Sequence, residues 1–121
     1  MTKLEALALA LAHLNNFHDP ESVAFRNGNP GLLKAFALKH KMDGDQIRIF
    51  DSFLDGYQAL LYDLKTKCSG RSRSKLKPAS ALTDLLHVYG HTEIERAVKF
   101  LKAALQKSDV SEKTFLSFFL E

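Results

Sequence analysis

Leu4, Leu7, Leu11 and Leu14 recur at spacings of three and four, and alanine fills much of the remainder between Ala6 and Ala12. Apolar residues on that spacing share one helical face, and alanine elsewhere leaves little polar surface. The pattern is that of a buried or nearly buried helix over about residues 3–15. The rest of the chain has to cover it. With 121 residues, 45% of them hydrophobic and 26% charged, enough apolar surface is present for one compact domain over residues 1–121, and general disorder is excluded.

Lys and Arg number 17 against 14 Asp and Glu, a formal charge of +3. This mild excess suits an anionic polymer, either nucleic acid or bacterial cell wall, without choosing between them. Cys68 stands alone, so no intramolecular disulfide can form and a cysteine-based zinc site lacks its companions. No run reaches the roughly 18–20 apolar residues of a membrane-spanning helix. The stretch from Ala6 to Ala12 is short for a signal-peptide core and has Glu5 in its flank, which points to cytoplasmic synthesis without a standard export signal.

Downstream, Asn15-Asn16-Phe17-His18-Asp19-Pro20 is crowded with turn formers, and Asn27-Gly28-Asn29-Pro30-Gly31 is denser still. Leu32 to Lys41 predicts a short helix ended by Asp43-Gly44-Asp45, and Gln46 to Phe50 alternates as a short strand would. Ser52 and Asp55 resemble a cap for a helix that carries Tyr57, Leu60, Leu61 and Leu64 to about Lys67. Six basic residues between Lys65 and Lys77, with serines and Gly70 among them and no acid, read as a solvated linker. Ala79 to Tyr89 reads as a helix. Thr92 and Glu95 form a capping box for a further helix with Ile94, Val98, Leu101 and Leu105 facing inward, and Ser111 could cap a last one carrying Phe115, Phe118 and Phe119. Those phenylalanines bury a large apolar area if they dock on the core and otherwise form an exposed patch. The expected fold class is therefore mainly α, with five to six helices and at most a short strand or hairpin.

Three segments carry a more specific signal. Phe25-Arg26-Asn27-Gly28-Asn29-Pro30-Gly31-Leu32-Leu33-Lys34 resembles the R-N-N-N-P-G-N-L-R signature of a family of lysozyme-like, lytic-transglycosylase-related domains of phages and their bacterial hosts. In that family a helix ending A-I-A-x-x-E-G-F precedes the signature, and here Ala10-Leu11-Ala12-His13-Leu14-Asn15-Asn16-Phe17 stands at the same distance. The family's later F-D-S-x-x-x-G-x-x-A-L is matched by Phe50-Asp51-Ser52-Phe53-Leu54-Asp55-Gly56-Tyr57-Gln58-Ala59-Leu60. The resemblance covers about the first half of the chain and implies a lysozyme-like fold and peptidoglycan as partner. It also implies a cleft between the end of the first helix, the turn at Asn27 to Gly31 and the segment around Ser52.

The departure from the family matters as much as the match. Ungapped alignment puts Asn15 where the family has its presumed catalytic glutamate. Cleavage of a glycosidic bond needs a carboxylic acid held protonated by an apolar pocket, and an amide cannot donate that proton. Losing a general acid removes a factor of about 100 to 10,000 in rate. The expected function is a degenerate member that binds glycan strands or serves as an interaction scaffold with little or no cleavage. Asn15, Arg26, Asn27, Asn29 and Ser52 are its candidate binding residues, although Asn27, Asn29, Pro30 and Gly31 equally suit a tight turn. Asp19 and Glu21 are the alternative acids if an active glycosidase has moved its proton donor.

A different class of function would use the basic run. Arg71, Arg73, Lys75 and Lys77 could hold phosphates of nucleic acid, or the protein could bind a host or virion protein and be virion-associated. The run has no interleaved aromatics for base stacking. His87 and His91 are four apart, but Gly90 breaks any helix between them, and neither a metal nor another cofactor is expected.

Overall fold

The structure, a computed structural model, describes residues 1–37 and 39–121. It is mainly helical. The elements are α1 (Lys3–Leu14), α2 (Val23–Arg26), α3 (Phe53–Cys68), α4 (Leu82–Val88), α5 (Ile94–Leu105) and a terminal 3-10 turn, Leu116–Leu120. As its alanine-filled sequence requires, α1 is the central element. It packs against α3, α5 and the terminal turn, with Leu7 and Leu11 fully buried.

One contiguous core forms around α1. Leu60 and Leu64 enter it from α3, Leu82, Leu85 and Leu86 from α4, Leu101 from α5, and Leu116 with Phe119 from the carboxyl end. Each such side chain contributes roughly 1.5–3 kcal/mol on removal from water. Phe119 is buried, Phe118 meets it edge-on at 5.2 Å beneath the Lys3 ammonium, and Phe115 stays exposed, so the aromatic end docks through two of its three rings. No described helix is long and apolar enough to cross a membrane.

Several local expectations are corrected. The capping box lies at the first helix: Thr2 Oγ1 accepts from Glu5 N at 3.0 Å, and Thr2 N donates to Glu5 Oε1 at 2.7 Å. Thr92 has no such role, because α5 starts at Ile94 behind Glu93, whose carboxylate pairs with Arg96 at 3.0 Å. Ser111 does not cap a helix; its Oγ accepts from Lys113 N, and the 3-10 turn begins five residues later at Leu116. The helix expected from Ala79 starts at Leu82, where Asp84 Oδ2 accepts from Ala81 N. A further short helix, α2, is capped by Ser22 Oγ, which accepts from Phe25 N.

The largest difference is at 32–41. No helix forms in the described part of that stretch, and Leu38 lies outside the described residues. Instead Ala35 N donates to Gln46 O, Arg48 N to Leu33 O, and on the other side Asp43 N to Ile47 O and Ile49 N to Lys41 O. The extended segment 46–49 is thus paired on both sides by isolated antiparallel bridges. Asp43 Oδ1 closes its turn by accepting from Asp45 N and Ile47 N. The 65–77 run is also less of a linker than its composition suggests, since α3 continues to Cys68 and Leu76 is buried in the core.

Candidate functional site

The three sequence segments of the lysozyme-like resemblance meet at one corner. Asn15 caps the carboxyl end of α1, and its largely buried side chain donates from Nδ2 to Pro30 O at 2.9 Å. Asn29 has no exposed surface. Its Nδ2 donates to Leu33 O at 3.0 Å and to Arg48 O at 2.8 Å, and its Oδ1 accepts from Leu33 N at 2.9 Å. Those bonds, with the pairing of Ala35 N and Leu33 O to the 46–48 backbone, hold residues 33–35 alongside the 46–49 segment in place of a helical turn. Asn27 Nδ2 donates to Asp43 Oδ2, and Asn27 O accepts from Phe50 N. Gly28 takes φ +57°, and a Cβ on Gly56 would come within 1.8 Å of Gly28 O, so α3 can lie this close only with glycine at 56.

This corner is packed, and neither groove beside α3 is the cleft expected here. Phe17 packs on Phe25 at 5.8 Å and on Phe53 at 5.0 Å beside it. Asn29 can touch no ligand, and Asn27 is engaged with Asp43; both hold the turn. Ser52 is a helix cap, its Oγ accepting from Asp55 N at 3.1 Å. Arg26 is exposed at the end of α2. Asp19 and Glu21 are exposed, and Asp19 Oδ1 accepts from Glu21 N in a tight turn. Neither sits in the apolar pocket that a proton donor needs.

Open space lies on the far side of the turn. The exposed flank of α3 forms one wall of two grooves that share Arg48 and Ala59. The larger, about 680 Å³, runs between Gly31–Lys34 with Phe36, the α3 residues Tyr62, Asp63 and Lys67, and the end of α4 at Val88–Gly90. The smaller, about 380 Å³, is lined by Lys39–Lys41, Phe50, Asp51, Asp55 and Gln58. In the larger groove Asp63 Oδ2 accepts from Lys67 Nζ at 2.6 Å and from the Tyr89 hydroxyl. Burial, together with the facing Asp63 carboxylate, pushes the Tyr89 phenol far above its ordinary range. Arg48 stacks its guanidinium 4.5 Å over the Phe50 ring between the two grooves.

Sequence reasoning missed this groove. One signal was present: Asp63 and Lys67 are spaced as an i,i+4 pair on α3. Compared with known protein families, curated proteins and solved structures, the chain matches none. Among the described residues no group of His, Cys, Asp or Glu is placed to hold a metal ion. His87 lies in the last turn of α4 and His91 follows Gly90 at φ +82°, so the two do not share a helix face. Arg71, Arg73, Lys75 and Lys77 are all exposed on the loop after α3, with no acid paired to any of them among the described residues. Cys68 is fully buried, and burial pushes its thiol up to about 12, so it is not a nucleophile in the folded chain.

Proposed function

We propose that the protein is a lysozyme-like, lytic-transglycosylase-related domain that binds peptidoglycan glycan strands and cleaves them little or not at all. The observation that carries this reading is the meeting of the three signature-like segments at one corner, with the Asn15 amide donating to Pro30 O where the family has its acid. Burial and a facing carbonyl both favour the neutral form of an acid, so a glutamic acid at this position would hold its proton. An asparagine keeps the hydrogen bond and has no proton to transfer.

The test uses purified sacculi. The full chain should cosediment with them and release no muropeptides, and because Asn15 is buried in the packed corner, Asn15→Glu should release none either. Release by the unaltered chain, abolished by Glu21→Gln and kept in Asn15→Ala, would assign the acid to Glu21 and overturn the reading. A second reading, salt-sensitive binding of nucleic acid, is favoured by the exposed, unpaired cations at 71–77. It requires that neutralising Arg71, Arg73, Lys75 and Lys77 together remove binding to DNA and flatten its salt dependence.

A further inference from the structure

We propose that the larger groove, over Asp63, is the saccharide-binding site, taking a β-linked amino-sugar oligosaccharide; this rests on the glycan reading above. Two large rings are left in water on this one groove, Phe36 at 87% exposure and Tyr62 at 75%. The C–H faces of a pyranose are apolar and flat, and packing one on such a ring removes apolar surface of both from water. The same groove carries a fixed acceptor. Asp63 Oδ2 takes both the Lys67 ammonium and the Tyr89 hydroxyl, while Oδ1 accepts no bond from the described residues. The Lys67 and Tyr89 bonds hold the carboxylate in one orientation, so Oδ1 can accept from a sugar hydroxyl without first losing rotamer freedom.

Charge narrows the class further. Lys34, Arg48 and Lys67 face one carboxylate, Asp63, around the groove, a balance of three cations to one anion. Lys67 is committed to Asp63, which leaves Lys34 and Arg48 for the carboxylate substituents that cell-wall amino sugars and their peptides carry. A nucleic acid strand would also find rings and cations here, but it would bring phosphates towards the Asp63 carboxylate and offer few hydroxyls to it.

Calorimetric titration of the full chain with the N-acetylglucosamine tetramer tests the assignment. The unaltered protein should bind, and Tyr62→Ala and Phe36→Ala, both at exposed positions that the fold does not need, should each weaken binding about tenfold with the thermal midpoint unchanged. Asp63→Asn should weaken it similarly, and Phe53→Ala, at the filled corner, should have no effect. Equal binding by the Tyr62 and Phe36 variants, a loss confined to Phe53→Ala, or uptake of a thymidine tetranucleotide in place of the sugar would overturn the assignment. Cosedimentation with sacculi separates the two levels. If the unaltered chain and the Tyr62 and Phe36 variants bind sacculi alike, or if it binds sacculi but not the tetramer, the groove assignment fails and the glycan reading stands. If the unaltered chain binds neither, both fall.

Discussion

At Asn29 one buried amide satisfies three backbone groups, Leu33 O, Arg48 O and Leu33 N, and so joins the turn to the extended segment 46–49. Removing it leaves Leu33 N and Arg48 O without these partners, while Leu33 O keeps its bond from Arg48 N; each half-buried group so left costs about 1–3 kcal/mol at most. Asn29→Ala is therefore expected to lower unfolding free energy by about 2 kcal/mol or more, read by urea denaturation. Asn15→Ala loses a single bond and should cost about 1 kcal/mol. Similar small losses for both would show that the turn does not depend on Asn29. Cys68 gives a second test at this scale. A thiol pushed up to about 12 by burial should stay unmodified by iodoacetamide at pH 8 in the folded protein and react promptly in denaturant.

Elements differ in how they begin, and the difference is measurable. The reciprocal Thr2–Glu5 bonds satisfy otherwise free amides at the start of α1, whereas Thr92 makes no cap for α5. Thr2→Ala should cost about 1 kcal/mol. Thr92→Ala should stay within about 0.5 kcal/mol. Thermal unfolding of the two variants side by side checks both values. Element packing is less forgiving at Gly56, where an added Cβ would meet Gly28 O at 1.8 Å, a backbone atom with no rotamer to escape into. Gly56→Ala should either unfold the protein or displace α3 from the turn, visible as a Tm drop well beyond that of Thr2→Ala.

For the whole molecule, acid is the expected weakness. His13 is held below its ordinary 6.5 by burial first, and then by Arg96 and His18. His91 is lowered by burial, with Arg96 adding to it and Glu93 opposing, and His40 is lowered by burial, Arg48 and Lys39. A histidine depressed in the fold binds fewer protons there than in the unfolded chain. Stability is thus fully present above about 6.5 and falls as pH drops through the folded-state values. Asp43 is lowered below 3.8, chiefly by the Asn27 bond, and adds a second loss at more acid pH. The urea midpoint should hold between pH 8 and 7 and decline from pH 6.5 to 5, with a shallower decline in His13→Gln. A flat profile over that range would contradict the burial of these imidazoles.

The amino-acid sequence alone determined the helices whose apolar spacing is local: α1 with its leucines and alanines, and α3 with Ser52 at its start and Leu60 and Leu64 on its buried face. It also marked the Asn27–Gly31 turn, because glycine at positive φ and asparagine side-chain bonds act within a few residues. Only the tertiary structure decided the fate of residues 32–37 and 39–41, whose pattern suits a helix but whose backbone is claimed by Asn29 and by the 46–49 segment. It alone decided the groove as well, since Phe36, Arg48, Tyr62, Asp63 and Tyr89 come from separate stretches that meet only when α3 lies against the turn. Spacing along a chain reports interactions a few residues long; a surface assembled from distant segments leaves no period for it to report.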